Sequence, residues 1–240
     1  MFALVSVACV QSAHLPALPV SPTGGLTVED STARLAANLA PTLFLQRDEP
    51  FPLLRVAAVV HPTRPVIAYH LLWQHDVNLQ WVPWAKPSDE EIVWVGYDPH
   101  TYRATDLWTY WHGAVLHADW RGAGEVAVDV QWGKHGCLPH RVIESDLPRL
   151  RTLNAFYLAE FILLPDILLG KVAHGGPWGF FHGYNRYRSF TEILRLSDRL
   201  NAVLRTDDAR EPLHAVFGPR YSNKVPWPWD VSGPSSRARN

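Results

Sequence analysis

The chain has 240 residues, 47% hydrophobic and 19% charged, enough for one sizeable core or a core with an appendage. Its 22 basic and 23 acidic residues leave a formal net charge of -1. No basic excess is available to hold a phosphate backbone, which argues against a nucleic-acid partner.

Residues 1–26 read as a leader. They open with a short apolar run and small residues near Ser12 and Ala13 but have no basic start. The segment is either a signal segment, which would make the protein secreted, or an ordinary leader, which would leave it cytoplasmic. Residues 15–26 are rich in Pro and Gly. A short helix is expected over 27–39, with Glu29 and Asp30 in its first turn, Leu35 and Leu39 facing inward, and Pro41 ending it. The stretch LFLQRDEPFPL then reads as a short strand entering a proline-rich turn.

From residue 55 to 132 the pattern is β, with strands predicted at 55–60, 66–73, 91–97, 107–112 and 125–132. In the last, Val126, Val128, Val130 and Trp132 alternate with Ala127, Asp129 and Gln131, the period of a half-buried strand. Short strands at this spacing predict an antiparallel β-sandwich core over 27–145. The eleven tryptophans either fill that core or form a sugar-stacking surface.

After Ile143 the pattern turns helical, and 146–232 is expected as a helical extension packed on the sandwich. Ser145 or Asp146 caps a helix with Pro148 in its first turn, running to about Leu164, where Pro165 breaks it. The apolar run AFYLAEFILLPDILL is interrupted by Glu160, Pro165 and Asp166, so it reads as a buried helix rather than a membrane span. The loop GGPWGFFHGYNRYRSF is aromatic and either packs the helices onto the sandwich or forms a sugar platform. Ser189 to Glu192 reads as a capping box, with Ile193, Leu196, Leu200 and Val203 at helical spacing behind it. Residues 233–240 read as a disordered tail. The fold class is therefore mainly β with α. Cys9 and Cys137 form no CxxC pair, and the redox compartment stays open.

Acids and histidines gather near predicted strand ends. Asp89 and Glu91 are two apart, so on a strand both carboxylates share a face and could serve one cation; the alternative is a charged strand start. Oxygen ligands suit Ca2+ or Mg2+, and added imidazole makes Mn2+ or Zn2+ competitive. His112 in YWHG and His135 in GKHG sit beside glycines at strand ends, where each is a ligand, a general base or a hydrogen-bonded surface histidine. Asp76, His75 and His117 are further candidates, with Asp76 alternatively a turn residue. No GxSxG, HExxH or P-loop occurs, and no nucleotide or organic cofactor is expected.

In order and spacing, LAPTLFLQRDEPFPL, IAYHLLWQHD, DEEIVWVGYD, YWHG and VAVDVQWGKHGCLP resemble the vacuolar protein sorting sixty-two-type family and its relatives, the necrosis-inducing NLP-type proteins. The resemblance spans roughly residues 39–139. It matches Asp89 and Glu91 to the acids of a DWE motif, Asp76 to another acidic ligand, His112 to a QHG histidine and His135 to a GSHA histidine. The motif tryptophan is replaced by Glu90, and Ser88 stands where a histidine commonly precedes it. The GHRHDWE heptapeptide is thus largely absent. The resemblance implies a β-sandwich and a divalent-metal-dependent binding module for a glycan or glycolipid headgroup. Two alternatives stand beside it: a hydrolase using Glu91 with His112 and His135 as acid–base groups, and a structural relative without activity.

Overall fold

A computed structural model describes residues 28–46, 49, 51–75, 89–111, 113–131, 133–140, 142, 190–219, 221, 224, 226–231 and 235–237. Helix α1 (Val28–Asn38) leads into strand β1 (Thr42–Gln46). Strands β2 (Leu53–Val60), β3 (Val66–Trp73), β4 (Asp89–Tyr97), β5 (Ala104–Trp111) and β6 (Ala114–Asp119) follow as an antiparallel run. Next come β7 (Ala127–Val130) and β8 (Cys137–Pro139). The C-terminal part supplies β9 (Phe190–Arg195), β10 (Leu200–Arg205), helix α2 (Arg210–Phe217) and β11 (Ser235–Arg237).

The strands form two sheets. One has seven strands in the order β10-β2-β3-β4-β5-β6-β11; the other has four, β8-β7-β1-β9. The expected β-sandwich is present. Three pairings are parallel rather than antiparallel: β1 with β7, β10 with β2, and β11 with β6.

Alternation along the strands sorts the core. Tyr69, Leu71, Trp73, Val93, Val95 and Leu107 face Leu43, Val128, Val130 and Leu138 of the smaller sheet in one continuous cluster. Ala68, Ile92 and Trp94 point the other way, where Leu213 of α2, Tyr221 and Trp227 cover them. Both faces of β3 and β4 are therefore buried, which explains why they read as continuous apolar runs instead of alternating. Trp73 and Trp94 are fully buried, the core-filling role for these two tryptophans.

Two expectations are corrected. The helix read from Ile193, Leu196, Leu200 and Val203 is two strands with a short 3-10 turn between them at Leu196–Arg199. Leu196 is buried while Ile193 is 60% exposed, so the spacing does not form one inward face. Pairing with β1 and β2, far upstream, overrides local helix preference. Residues 235–237 of the expected disordered tail form β11 on the edge of the larger sheet. The expected helix over 146–164 and the aromatic loop lie outside the described residues. Among the described residues, no helix is long and apolar enough to cross a membrane.

Candidate functional site: a buried acid–imidazolium network

Strand β4 begins with Asp89, Glu90 and Glu91 at the end of the sandwich where β3 finishes, with Asp89 opposite Trp73. The β7–β8 turn reaches the same end. Its shape is fixed by backbone bonds: the Gln131 N–H donates to Gly136 O (3.0 Å) and the His135 N–H to Gln131 O (2.8 Å). Gly133 and His135 both have positive φ, 62° and 54°. Glycine takes that region freely, whereas histidine is held there at a cost of about 1–2 kcal/mol.

That turn puts His135 between two carboxylates. Its Nδ1 lies 2.9 Å from Asp89 Oδ2 and its Nε2 3.1 Å from Glu49 Oε1. Ionised carboxylates only accept, so both ring nitrogens carry hydrogen and the ring is an imidazolium. Burial alone would lower the His135 pKa, but the bonds to Asp89 and Glu49 outweigh it and raise it to about 9. Burial likewise pushes the Asp89 carboxyl up, and the hydrogen bond to His135 brings it below its ordinary value. The ring stacks on Trp73, with centroids 4.2 Å apart and planes at 6°, and Phe51 meets it edge-on at 6.2 Å. A flat cation over an indole face is a favourable contact.

Glu49 clamps the turn. Its Oε2 accepts the Gly133 N–H (2.9 Å) and its Oε1 the Phe51 N–H (3.2 Å). Glu91, on the same face of β4 as Asp89, pairs with Lys224, Nζ to Oε2 3.0 Å. Lys224 Nζ also lies 4.9 Å from the centre of the Tyr110 ring. Burial raises the Glu91 carboxyl to about 8, which the Lys224 ammonium only partly offsets. Burial pulls Lys224 down, and Glu91 and Asp89 together more than restore its charge.

Of the expected site residues, Asp89, Glu91 and His135 come together at this end. Asp76 and His112 lie outside the described residues. His75 is nearby, its ring edge-on to Phe51 at 5.8 Å. His117 is elsewhere: it bonds Asp106 (2.7 Å) and stacks on Trp108, and Asp106 pairs with Gly96 toward the other end of β4. Glu49 and Lys224 were not among the expected residues. Glu49 lies inside the RDEPFPL stretch, whose turn character was legible. Lys224 has no local signal, since 133 residues separate it from Glu91.

The donor set, carboxylates with an imidazole, has the chemistry of a cation site. Among the described residues of that set, Asp89 and Glu49 contact His135, and Glu91 contacts Lys224. Among the described residues no three such side chains are grouped to hold a metal ion. The arrangement is a charge-compensated network, with protein cations in contact with the acids.

Fold and site together define a two-sheet β-sandwich carrying a buried ionic network at one end. No protein-family model matches the chain, and no curated protein matches it. A solved structure of an NLP-type protein, NLPPya in complex with mannosamine, is similar at 18% sequence identity with a TM-score of 0.34. The alignment covers 51% of this chain and 72% of that one.

Proposed function

We propose that this protein is a binding module whose acidic end recognises the polar headgroup of a glycan or glycolipid. The observation that carries this reading is the convergence of Glu49, Asp89, Glu91, His135 and Lys224, from four separate stretches of chain, at one end of the sandwich. Stability alone gives little reason for it, because apolar residues of similar volume commonly stabilise a buried position better than an ion pair does. Clusters of buried groups with shifted pKa values, beside a histidine held in a left-handed backbone conformation, are features of functional sites. Side chains of Asp89 and Lys224 keep 17% and 20% of their surface open, so a carboxylate and an ammonium are both available to sugar hydroxyls. The ordered resemblance over residues 39–139 motivates the glycan class.

In this form the reading needs no metal. The test is a glycan array probed with the full chain in chelator and again in millimolar calcium. Binding to a defined glycan class in both conditions, lost in Asp89→Asn and Lys224→Met variants that still melt cooperatively, is the expected result. Binding that requires calcium would sink the metal-free form and point to Asp76 and His112 as ligands. No glycan bound under either condition would overturn the reading altogether. The acid–base alternative draws on one observation, the raised Glu91 carboxyl, which is a property of a general acid. Against it, both His135 nitrogens are occupied and the ring is fully buried. Glycoside or ester turnover abolished by Glu91→Gln would favour it.

A further inference from the structure

The opposite end of the sandwich carries a cleft of different chemistry. Strand β4 runs from Asp89 at the acidic end to Tyr97 at this one, a span of roughly 26 Å at about 3.3 Å per residue. The cleft has a volume of about 570 Å³, within the range of small-molecule sites. Helix α1, the β2–β3 turn, the β4–β5 turn and the end of β10 form its walls.

Three arginines line it, Arg34, Arg64 and Arg205, and no acidic residue does. Among the described residues none of the three is paired with an acid. The lining itself therefore carries three positive charges and no negative one, with Asp207 and Asp230 close enough to act on His61 from outside it. Two of the three are held in place. Arg205 Nη2 donates to the Pro62 carbonyl (3.2 Å), and the Arg64 guanidinium lies 4.2 Å from the ring centre of Trp229. His61 also lines the cleft. Its Nδ1 accepts the backbone N–H of Thr63 (3.1 Å) and of Arg64 (3.0 Å). The ring is therefore the tautomer with hydrogen on Nε2, a neutral donor. Much of the remaining wall is apolar, including Leu35 and Val60. At the rim stands Tyr102, 61% exposed with φ of 53°. An aromatic residue in that region is strained, and such strain gathers at ligand sites.

We propose that this cleft is a second binding site, independent of the acidic end, for a small ligand carrying a phosphate monoester on an apolar or ring-shaped body. A monoester dianion presents three acceptor oxygens. Three guanidiniums with the His61 Nε2–H offer donors to all three oxygens and more than offset the two negative charges, whereas a carboxylate would satisfy one fork. The apolar wall takes the body of the ligand. A free phosphorylated metabolite and a lipid with a monoester headgroup share this chemistry.

The test is calorimetric titration of the full chain with phenyl phosphate, benzoate and phenol, with sedimentation on phosphatidylcholine vesicles with and without phosphatidic acid. Phenyl phosphate is expected to bind at least about 10-fold tighter than benzoate or phenol, a difference that the lost charge-assisted bonds supply. The Arg64→Gln, Arg205→Gln double variant should lose that preference. If it fails to fold, Arg34→Gln, an exposed change on α1, should still weaken phenyl phosphate several-fold. Arginine-dependent capture by phosphatidic acid vesicles would support the site with a lipid as its source; binding of the soluble ester alone would support it with a soluble source. No binding of either, equal affinity for benzoate or phenol, or variants that bind like wild type would overturn the proposal. None of these outcomes depends on glycan binding at the other end.

Discussion

His135 keeps a positive charge where it is fully buried, and this gives the protein a defined response to pH. Its folded pKa of about 9 exceeds the ordinary 6.5, so its contribution is complete below about 6.5 and is lost as pH rises through about 9. Glu91 acts with the same sign. Its carboxyl is raised from 4.5 to about 8, so the folded state holds a proton that the unfolded chain releases, and stability falls as pH rises across that window. Asp89 has the opposite sign: its lowered pKa adds stability above about 3.8 that is lost as pH falls further. The melting temperature should therefore decline between pH 6.5 and 9.5, with His135 contributing on the order of 3 kcal/mol to the change. His135→Gln should melt lower at pH 6 and show a shallower decline. Thermal melts across this range test it, and a wild-type Tm flat from pH 6.5 to 9.5 would mean that His135 is not the cation its contacts require.

At the scale of the element, the β7–β8 turn determines whether the network forms. A Cβ on Gly136 would lie 2.8 Å from Trp111 Cδ1 and 3.0 Å from Gln131 Oε1, both on buried side chains. Gly136→Ala must therefore push the turn off β5 and carry His135 with it. We expect a loss of about 1–3 kcal/mol, the cost of overpacking a filled site, read as a lower urea midpoint at unchanged slope. Elements of this kind were unevenly legible in the sequence. Strands β2 to β5 were, because β-branched and aromatic runs bounded by Pro and Gly carry their own local signal. So was the pairing of Asp89 with Glu91 on one face, which follows from strand period alone. Strands β9 and β10 were not, since they are strands only by virtue of β1 and β2. Lys224 was invisible for a related reason: nothing near it in sequence says that it meets Glu91.

At the scale of the whole molecule, the C-terminal part completes the sandwich. Strand β10 extends the larger sheet beyond β2, and β9 extends the smaller one beyond β1. After them, α2, Tyr221 and Trp227 cover the outer face of β2, β3 and β4. Polar contacts fasten that cover. The Trp94 Nε1–H donates to Pro226 O (2.9 Å), the Trp227 Nε1–H to Asp207 O (3.0 Å), Arg55 reaches the Val216 carbonyl, and the Tyr221 hydroxyl bonds His70 Nδ1. Burial lowers the His70 pKa to about 3, so His70 stays neutral beneath the cover and adds no charge to be solvated. A fragment of residues 1–145 would expose Ala57, Val59, Ala68, Ile92 and Trp94 together and would leave Glu91 without Lys224. Ile92 alone represents about 1.5–3 kcal/mol of burial, against a total stability that for domains is typically only about 5–15 kcal/mol. The fragment should therefore not fold: expressed alone it should be insoluble or should unfold without a cooperative transition, whereas the full chain melts cooperatively. A soluble 1–145 fragment with a sharp melting transition would show instead that β2 to β8 are self-sufficient and that the C-terminal part is an appendage.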